Sequence, residues 1–170
     1  MVAIAQELRQ EGQAAAAREG KYLTFTLAGE DYGIGILKIK EIMGMMPITP
    51  VPRMPVFVKG VINLRGRVIP VLDLRHRFGV EAKNYTDRTC IVVVEVEGSA
   101  GRIMMGVVVD SVSEVLNIKP EEIEDTPSFG TKLDTDYILG MAKMGKGVKI
   151  LLDIDRVLSR QETSILEKVA

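Results

Sequence analysis

Residues 58–78 read VKGVINLRGRVIPVLDLRHRF. Two runs rich in β-branched residues flank Arg65-Gly66, a pattern typical of two strands joined by a tight turn. Glycine adopts a positive φ without steric cost, which tight turns often require. The stretch therefore predicts a β-hairpin, with Pro70 at a sheet edge or bulge because proline lacks the N–H of a ladder. Asp73 predicts the cap of a short helical turn that follows.

The chemistry of this hairpin lies at its tip. Arg65 and Arg67 stand at the turn without an acidic neighbour in the sequence. A guanidinium fork held at a turn can bind a carboxylate or carbonyl of a partner. Two solvated arginines at a loop tip are the alternative, and the hairpin pattern by itself leaves both interpretations open.

Composition narrows the function classes. The chain has 170 residues, 46% of them hydrophobic and 26% charged, with a net charge of −1. This balance is typical of one compact globular unit or two small ones, and it argues against nucleic acid as a partner. A single cysteine, Cys90, excludes an intrachain disulfide and indicates a reducing compartment. The sequence has neither a membrane-length apolar run nor a signal-peptide pattern, so we expect a cytoplasmic protein.

The rest of the chain repeats the pattern of short strands and turns. Further hairpins are predicted at 22–36, 88–109 and 137–154. Apolar residues at i and i+3 predict helical turns at 38–43 and 111–116, and Asp153 predicts one at 153–158. We expect a flexible tail at 1–20 and a partly helical C-terminal tail at 160–170.

An internal repeat organises these elements. Residues 60–64 and 71–74 match residues 140–144 and 151–154 at an offset of 80, and Gly33 matches Gly106 at an offset of 73. The sequence thus predicts a mainly β protein made of two small antiparallel barrels with short helical turns. The halves are expected at about 21–84 and 85–159, with strands possibly exchanged between them. The second copy carries Gly145-Lys146 where the first carries Arg65-Gly66, so the fold itself does not require Arg65, which favours a functional role for it.

The sequence contains little that indicates an enzyme active site or a metal site. Gly140 to Gly147 nearly spells a phosphate-binding loop with Lys146, but it lies between two predicted strands and lacks the final Ser or Thr. His76 has no nucleophile near it in sequence, and one His with one Cys cannot fill a zinc site. We therefore expect no catalytic residue, metal or cofactor. A nucleotide-binding enzyme that uses Lys146 is the alternative of a different class.

The sequence resembles the CheW family of bacterial chemotaxis coupling proteins from about Tyr22 to Leu158. The resemblance implies two SH3-like β-barrels side by side. It also implies a non-enzymatic adaptor that links the cytoplasmic helical tip of a chemoreceptor to the regulatory domain of the histidine kinase CheA, in arrays beneath the membrane. The segments that carry the resemblance are Phe25-Thr26-Leu27, Tyr32-Gly33-Ile34, Ile36 to Ile42, Gly60 to Gly66, Val68 to Arg75 and Val107 to Asp110.

Residue by residue, the resemblance implies a receptor-facing groove with apolar residues and a charged rim. Phe129 corresponds to a loop aromatic near the ring contacts, and kinase contacts are expected from apolar strand surface. An adaptor of another chemosensory pathway, for motility or a second messenger, would look alike and stays open. The implied receptor-binding residues are Ile36, Ile39, Glu41, Lys59, Gly60, Arg65, Gly66 and Val108.

Overall fold

The computed structural model describes residues 20–81, 84–98, 101–125 and 137–169. Phe129 lies outside these ranges. The helices of the described part are α1 (Leu74–Phe78) and α2 (Arg160–Val169), with 3₁₀ turns at Ile36–Lys38 and Pro120–Glu122. Its strands are β1 (Gly20–Leu27), β2 (Glu30–Gly35), β3 (Ile39–Gly44), β4 (Val58–Leu64), β5 (Arg67–Asp73), β6 (Cys90–Gly98), β7 (Gly101–Val109), β8 (Ser111–Ile118), β9 (Ile123–Glu124), β10 (Ile138–Met144) and β11 (Gly147–Leu152).

These strands form two sheets. The first sheet has the order β8-β1-β2-β11-β10-β9, and the second has the order β3-β6-β7-β5-β4. The prediction of a mainly β fold with two β units and few helices is confirmed. The sheets are not purely antiparallel, however, because β2 pairs with β11 and β5 pairs with β7 in parallel.

The two copies of the repeat exchange their first hairpins. The hairpin β1-β2 joins the sheet that holds β10 and β11, and β6-β7 joins the sheet that holds β4 and β5. The parallel pairs have the same register, since Val71 lies opposite Gly106 and Leu151 lies opposite Gly33. The repeat therefore holds in three dimensions, but neither half of the sequence forms one sheet by itself.

The hairpin at residues 58–78 forms as predicted. Leu64 pairs with Arg67, so the loop is the two residues Arg65 and Gly66, with φ values of 51° and 86°. Two positive φ values define a type I′ turn, whose twist suits a hairpin. The Asn63 side chain stabilises it, because its Oδ1 accepts the Gly66 N–H at 2.8 Å. In the matching turn of the second copy it is Gly145 that takes the positive φ, at 62°.

Some local predictions were wrong. Residues 38–43 and 111–116 are largely strands, not helical turns, because β3 and β8 gain ladders with β6 and β1. Pairing with a distant strand overrides a short i,i+3 apolar pattern. Pro70 lies in an interior strand, and the ladder from β5 to β7 begins one residue later, at Val71. Residues 154–158 form turns instead of a helix.

The C-terminal segment is more than a tail. The helix α2 begins after a capping box, in which Ser159 Oγ accepts the Glu162 N–H at 3.1 Å and Glu162 Oε1 accepts the Ser159 N–H at 2.9 Å. Leu166 of α2 is buried in the main apolar cluster with residues of both sheets. This helix therefore closes part of the core.

A buried ionic network joins the two sheets. Arg75 is 1% exposed and donates to both carboxylate oxygens of Asp73, at 3.0 and 2.9 Å. Its third contact is Asp110 Oδ1 at 2.9 Å, and Asp110 Oδ2 accepts the Ala28 N–H at 2.7 Å. Asp73 ends a strand of the second sheet and Ala28 follows β1 of the first. The network thus ties one sheet to the other.

We predict that Gly60→Ala lowers the free energy of unfolding by about 2–3 kcal/mol. Gly60 has a φ of 143°, and a Cβ there would overlap the Thr49 carbonyl oxygen. Urea unfolding measures the loss. Gly35→Ala is the matched control, since Gly35 has a φ of −54° and open space around it. Equal stability of the two variants would contradict the close approach of Thr49.

We predict that Arg75→Met lowers the free energy of unfolding by about 3–5 kcal/mol, because it leaves the carboxylate of Asp73 buried without its partner. Combining it with Asp73→Asn should cost less than the sum of the single changes, as measured in a double-mutant cycle by chemical denaturation. Arg67→Met, at an exposed arginine, is the control and should leave the midpoint unchanged. Strict additivity of the two changes would refute the coupling.

Candidate functional site

The tip of the β4-β5 hairpin holds an exposed ion pair. Arg65 donates from Nη2 to Glu41 Oε2 at 2.7 Å and from Nη1 to Glu41 Oε1 at 3.1 Å. The hydrogen bonds from Arg65 hold the pKa of Glu41 below its ordinary value. Arg65 has a side chain that is 71% exposed, and its φ of 51° is uncommon for a residue other than glycine. A side chain held in this way, and open to solvent, can exchange one carboxylate for another.

The predicted residues Lys59 and Gly60 lie at the opposite end of β4. Lys59 Nζ is 3.2 Å from His76 Nε2 and 4.0 Å from Asp73 Oδ2, so this lysine caps the buried ionic network. Lys59 and Arg65 are six positions apart along the strand, or roughly 20 Å at the usual rise. The predicted set therefore extends along the strand and does not form one compact cluster.

The predicted isoleucines pack against the main apolar core. Ile39 and Glu41 both lie on β3, but the register shifts between them, so Ile39 is opposite Val94 and Glu41 is opposite Val93, and the two side chains do not share a face. Ile36 and Ile39 are partly buried and pack against the main core, with part of each still accessible. The structure thus brings Glu41 and Arg65 together, whereas Ile36 and Ile39 pack toward the main core.

Val108 does not belong to an accessible surface. It is 0% exposed, inside β7, and packs in the second apolar cluster with residues such as Ile91 and Val93. Its predicted contact with a partner is therefore wrong. Five consecutive residues at the end of β7 are buried, so this part of the strand is covered on both faces.

Sequence reasoning missed the exposed apolar residues of the strands. Ile42 and Val115 are about half-exposed and occupy equivalent positions of the repeat, and the same holds for Val68 and Val148. For Ile42 and Val115, alternation of apolar and polar residues along β3 and β8 could have indicated the strands, but the i,i+3 spacing of apolar residues favours helix in both segments. Each sheet therefore presents apolar side chains to solvent at matching places.

The turn around Lys146 does not have the context of a phosphate-binding loop. Lys146 is exposed in a turn between β10 and β11, a strand-turn-strand context that cannot cradle a phosphate. Among the residues the structure describes, no group of three or more His, Cys, Asp or Glu side chains is placed to hold a metal ion. In the same part of the chain, no helix has the length and apolarity to cross a membrane.

Several known proteins are similar to this chain in sequence or in fold. The family model of the CheW-like domain matches residues 21–162. The chemotaxis protein CheW of Klebsiella aerogenes is 39% identical over 150 residues, which are 88% of each chain. Protein FrzA of Myxococcus xanthus is 30% identical over 76% of this chain and 79% of its own length. The crystal structure of the scaffolding protein TtCheW from Thermoanaerobacter tengcongensis superposes with a TM-score of 0.74 at 34% identity, covering 85% of this chain and 97% of that one.

We predict that Arg65→Ala raises the pKa of Glu41 toward the ordinary glutamate value, because the hydrogen bonds from the guanidinium favour the charged carboxylate. The stabilisation by this pair is present above the ordinary glutamate pKa and is lost as pH falls through the lowered one. Carboxyl-detected NMR titration measures the change. Arg67→Ala is the control and should leave the pKa of Glu41 unchanged. If Arg65→Ala also left the pKa of Glu41 unchanged, the ion pair would be absent in solution.

Proposed function

The chain belongs to the CheW family of non-enzymatic chemotaxis adaptors, and we propose that it couples the cytoplasmic helical tip of a chemoreceptor to the regulatory domain of CheA. One observation carries the receptor part of this proposal. The Arg65–Glu41 pair is exposed, stands on a turn with an unfavourable φ, and occurs in one copy of the repeat only. The turn requires a positive φ, which glycine adopts without strain in the second copy, so an arginine that bears this strain points to a functional site.

The proposed receptor surface combines apolar contact with charge selection. A helical hairpin presents an apolar stripe with polar flanks, which suits the accessible parts of Ile36 and Ile39. Arg65 and Glu41 select the register, since a carboxylate of the partner can replace Glu41 on the guanidinium fork. Lys59 and Gly60, at the far end of β4, extend the surface, and Gly66 maintains the turn that presents Arg65.

The proposed kinase surface is the exposed apolar part of the strands. Val68 on β5 and Ile42 on β3 are about half-exposed, and an interface core favours such apolar side chains. Phe129 is proposed as a further ring contact from the family resemblance alone. With partners on both surfaces, the protein works in the cytoplasm and reaches the membrane through receptors.

A second candidate is the same adaptor role in another chemosensory pathway. Its support is the 30% identity to FrzA, which covers 76% of the chain. The partner surfaces would be the same and the receptors different. Receptor identity therefore separates the two candidates.

We predict that Arg65→Gly weakens binding to receptor-containing membranes about fivefold or more, because it removes the guanidinium while it relieves the positive φ. Co-sedimentation with and without CheA, with CheA autophosphorylation followed in parallel, measures both couplings. The melting temperature should stay the same or rise, which separates lost binding from lost folding.

Lys146→Ala is the matched control at the tip of the equivalent hairpin and should bind like the unchanged protein. Unchanged receptor binding by Arg65→Gly would remove Arg65 from the site. Failure of the unchanged protein to bind either chemoreceptor membranes or CheA would favour the second candidate.

A further inference from the structure

A groove of about 500 Å³ opens at one end of the first sheet. It lies where β2 leads into the 3₁₀ turn Ile36–Lys38 and where β11 leads into the turn after it. Apolar side chains dominate its walls, and one carboxylate, that of Asp153, lies among them. The lining residues that matter here are Tyr22, Ile36, Leu37, Leu139, Asp153 and Ile154.

Asp153 is the repeat counterpart of Asp73, and the backbone holds both carboxylates in the same way. The Asp73 N–H donates to the Phe57 carbonyl at 2.8 Å, and the Asp153 N–H donates to the Tyr137 carbonyl at 2.8 Å. Asp73 Oδ1 accepts the N–H two residues on at 3.0 Å, and Asp153 Oδ1 does the same at 3.1 Å. In each copy Oδ1 accepts a backbone N–H, which leaves Oδ2 to side-chain partners.

The two sites differ in the side chain that contacts the second carboxylate oxygen, Oδ2. In the first copy the guanidinium of Arg75 lies between Asp73 and Asp110. The repeat places Asp155 at the position of Arg75 and Leu37 at the position of Asp110.

Neither counterpart supplies a guanidinium. The Asp155 carboxylate forms an ion pair with Lys38, with 2.6 Å between Asp155 Oδ2 and Lys38 Nζ. Leu37 lines the groove and is 92% exposed. In the second copy a groove therefore lies where the first copy holds an arginine.

We propose that this groove binds an arginine side chain of a partner protein, with its guanidinium on Asp153 as Arg75 lies on Asp73. The aliphatic stem and the neighbouring apolar residues of that segment contact Leu37 and Leu139. In the chain itself Asp153 Oδ2 has Arg156 Nε at 3.6 Å, and the Arg156 side chain is 68% exposed, so a partner can displace it.

The surrounding charges define the partner further. Burial, and next the negative charge of Asp155, raise the pKa of Asp153, while the charges of Arg156 and Lys38 lower it, so a partner's guanidinium would take the place of Arg156 at this carboxylate. Lys21 and Lys38 stand at the rim and repel a run of basic residues. A planar guanidinium matches a carboxylate better than an ammonium does. The fitting segment thus carries a single arginine between aliphatic residues.

The test is a methyl-detected NMR titration of the full chain with the blocked tripeptide acetyl-Leu-Arg-Leu-amide. We expect saturable shifts at the methyl groups of Leu37, Leu139 and Ile154. The peptide with citrulline in place of arginine has nearly the same shape without the charge, and it should bind about tenfold or more weakly. This readout needs neither receptor nor kinase, so it succeeds or fails independently of the proposed adaptor function.

Three variants test the internal template. Asp153→Asn keeps the backbone contact and removes the charge, and it should lower the affinity for the arginine peptide to that for the citrulline peptide. Leu37→Asp restores the counterpart of Asp110 at an exposed site and should strengthen binding several-fold. Asp155→Arg restores the counterpart of Arg75 and should block the peptide by filling the groove from within. Equal binding of both peptides, shifts outside the groove, or no saturable binding would overturn the proposal.

Discussion

The contact between Arg75 and the carboxylates of Asp73 and Asp110 is the interaction on which the two-sheet arrangement depends. The guanidinium is buried, so the cost of removing its charge from water must be offset by its three directed contacts. Tyr85 adds a ring 5.6 Å from the guanidinium carbon. The bidentate pair of Arg75 with Asp73 is local to the end of β5 and the start of α1. The link to the first sheet runs through Asp110, which accepts hydrogen bonds from both Arg75 and the Ala28 N–H. The network thus fixes the orientation of the β4-β5 hairpin relative to the first sheet.

The same network makes the two copies of the repeat unequal. The first copy has its charge satisfied internally and presents an arginine at the hairpin tip. The second copy has an acidic residue where the first has Arg75, and a glycine where the first has Arg65. A protein whose sheets share topology and register therefore presents two chemically distinct ends. Such inequality suits an adaptor, because identical ends would not discriminate between two kinds of partner.

Sequence predicted the parts of the fold that local chemistry determines. The turn at Gly66 and the helix cap at Asp73 depend only on nearby atoms, and both predictions are confirmed. The strands β3 and β8 depend on distant partners, so a short apolar spacing suggested helix instead. The repeat indicated two copies but carried no signal for the exchange of hairpins. In the candidate site, Arg65 and Glu41 stand 24 residues apart, and their pairing appears only in three dimensions. Val108 was misplaced because the end of β7 is covered on both faces, which leaves no alternation to distinguish an accessible residue.

The exchange of hairpins also sets the order in which the chain can fold during synthesis. The strand β2 lies beside β11, and their paired residues Gly33 and Leu151 are 118 positions apart. The first half emerges from the ribosome with β1-β2 and β4-β5 complete as hairpins, yet each lacks its neighbouring strand. The second sheet can close once β7 has emerged, at Val109, whereas closure of the first sheet waits for β11, which ends at Leu152. The chain-entropy cost of such distant pairings slows this closure further. Newly made chains therefore expose unpaired strand edges for most of translation, a period in which chaperones would have the most to protect.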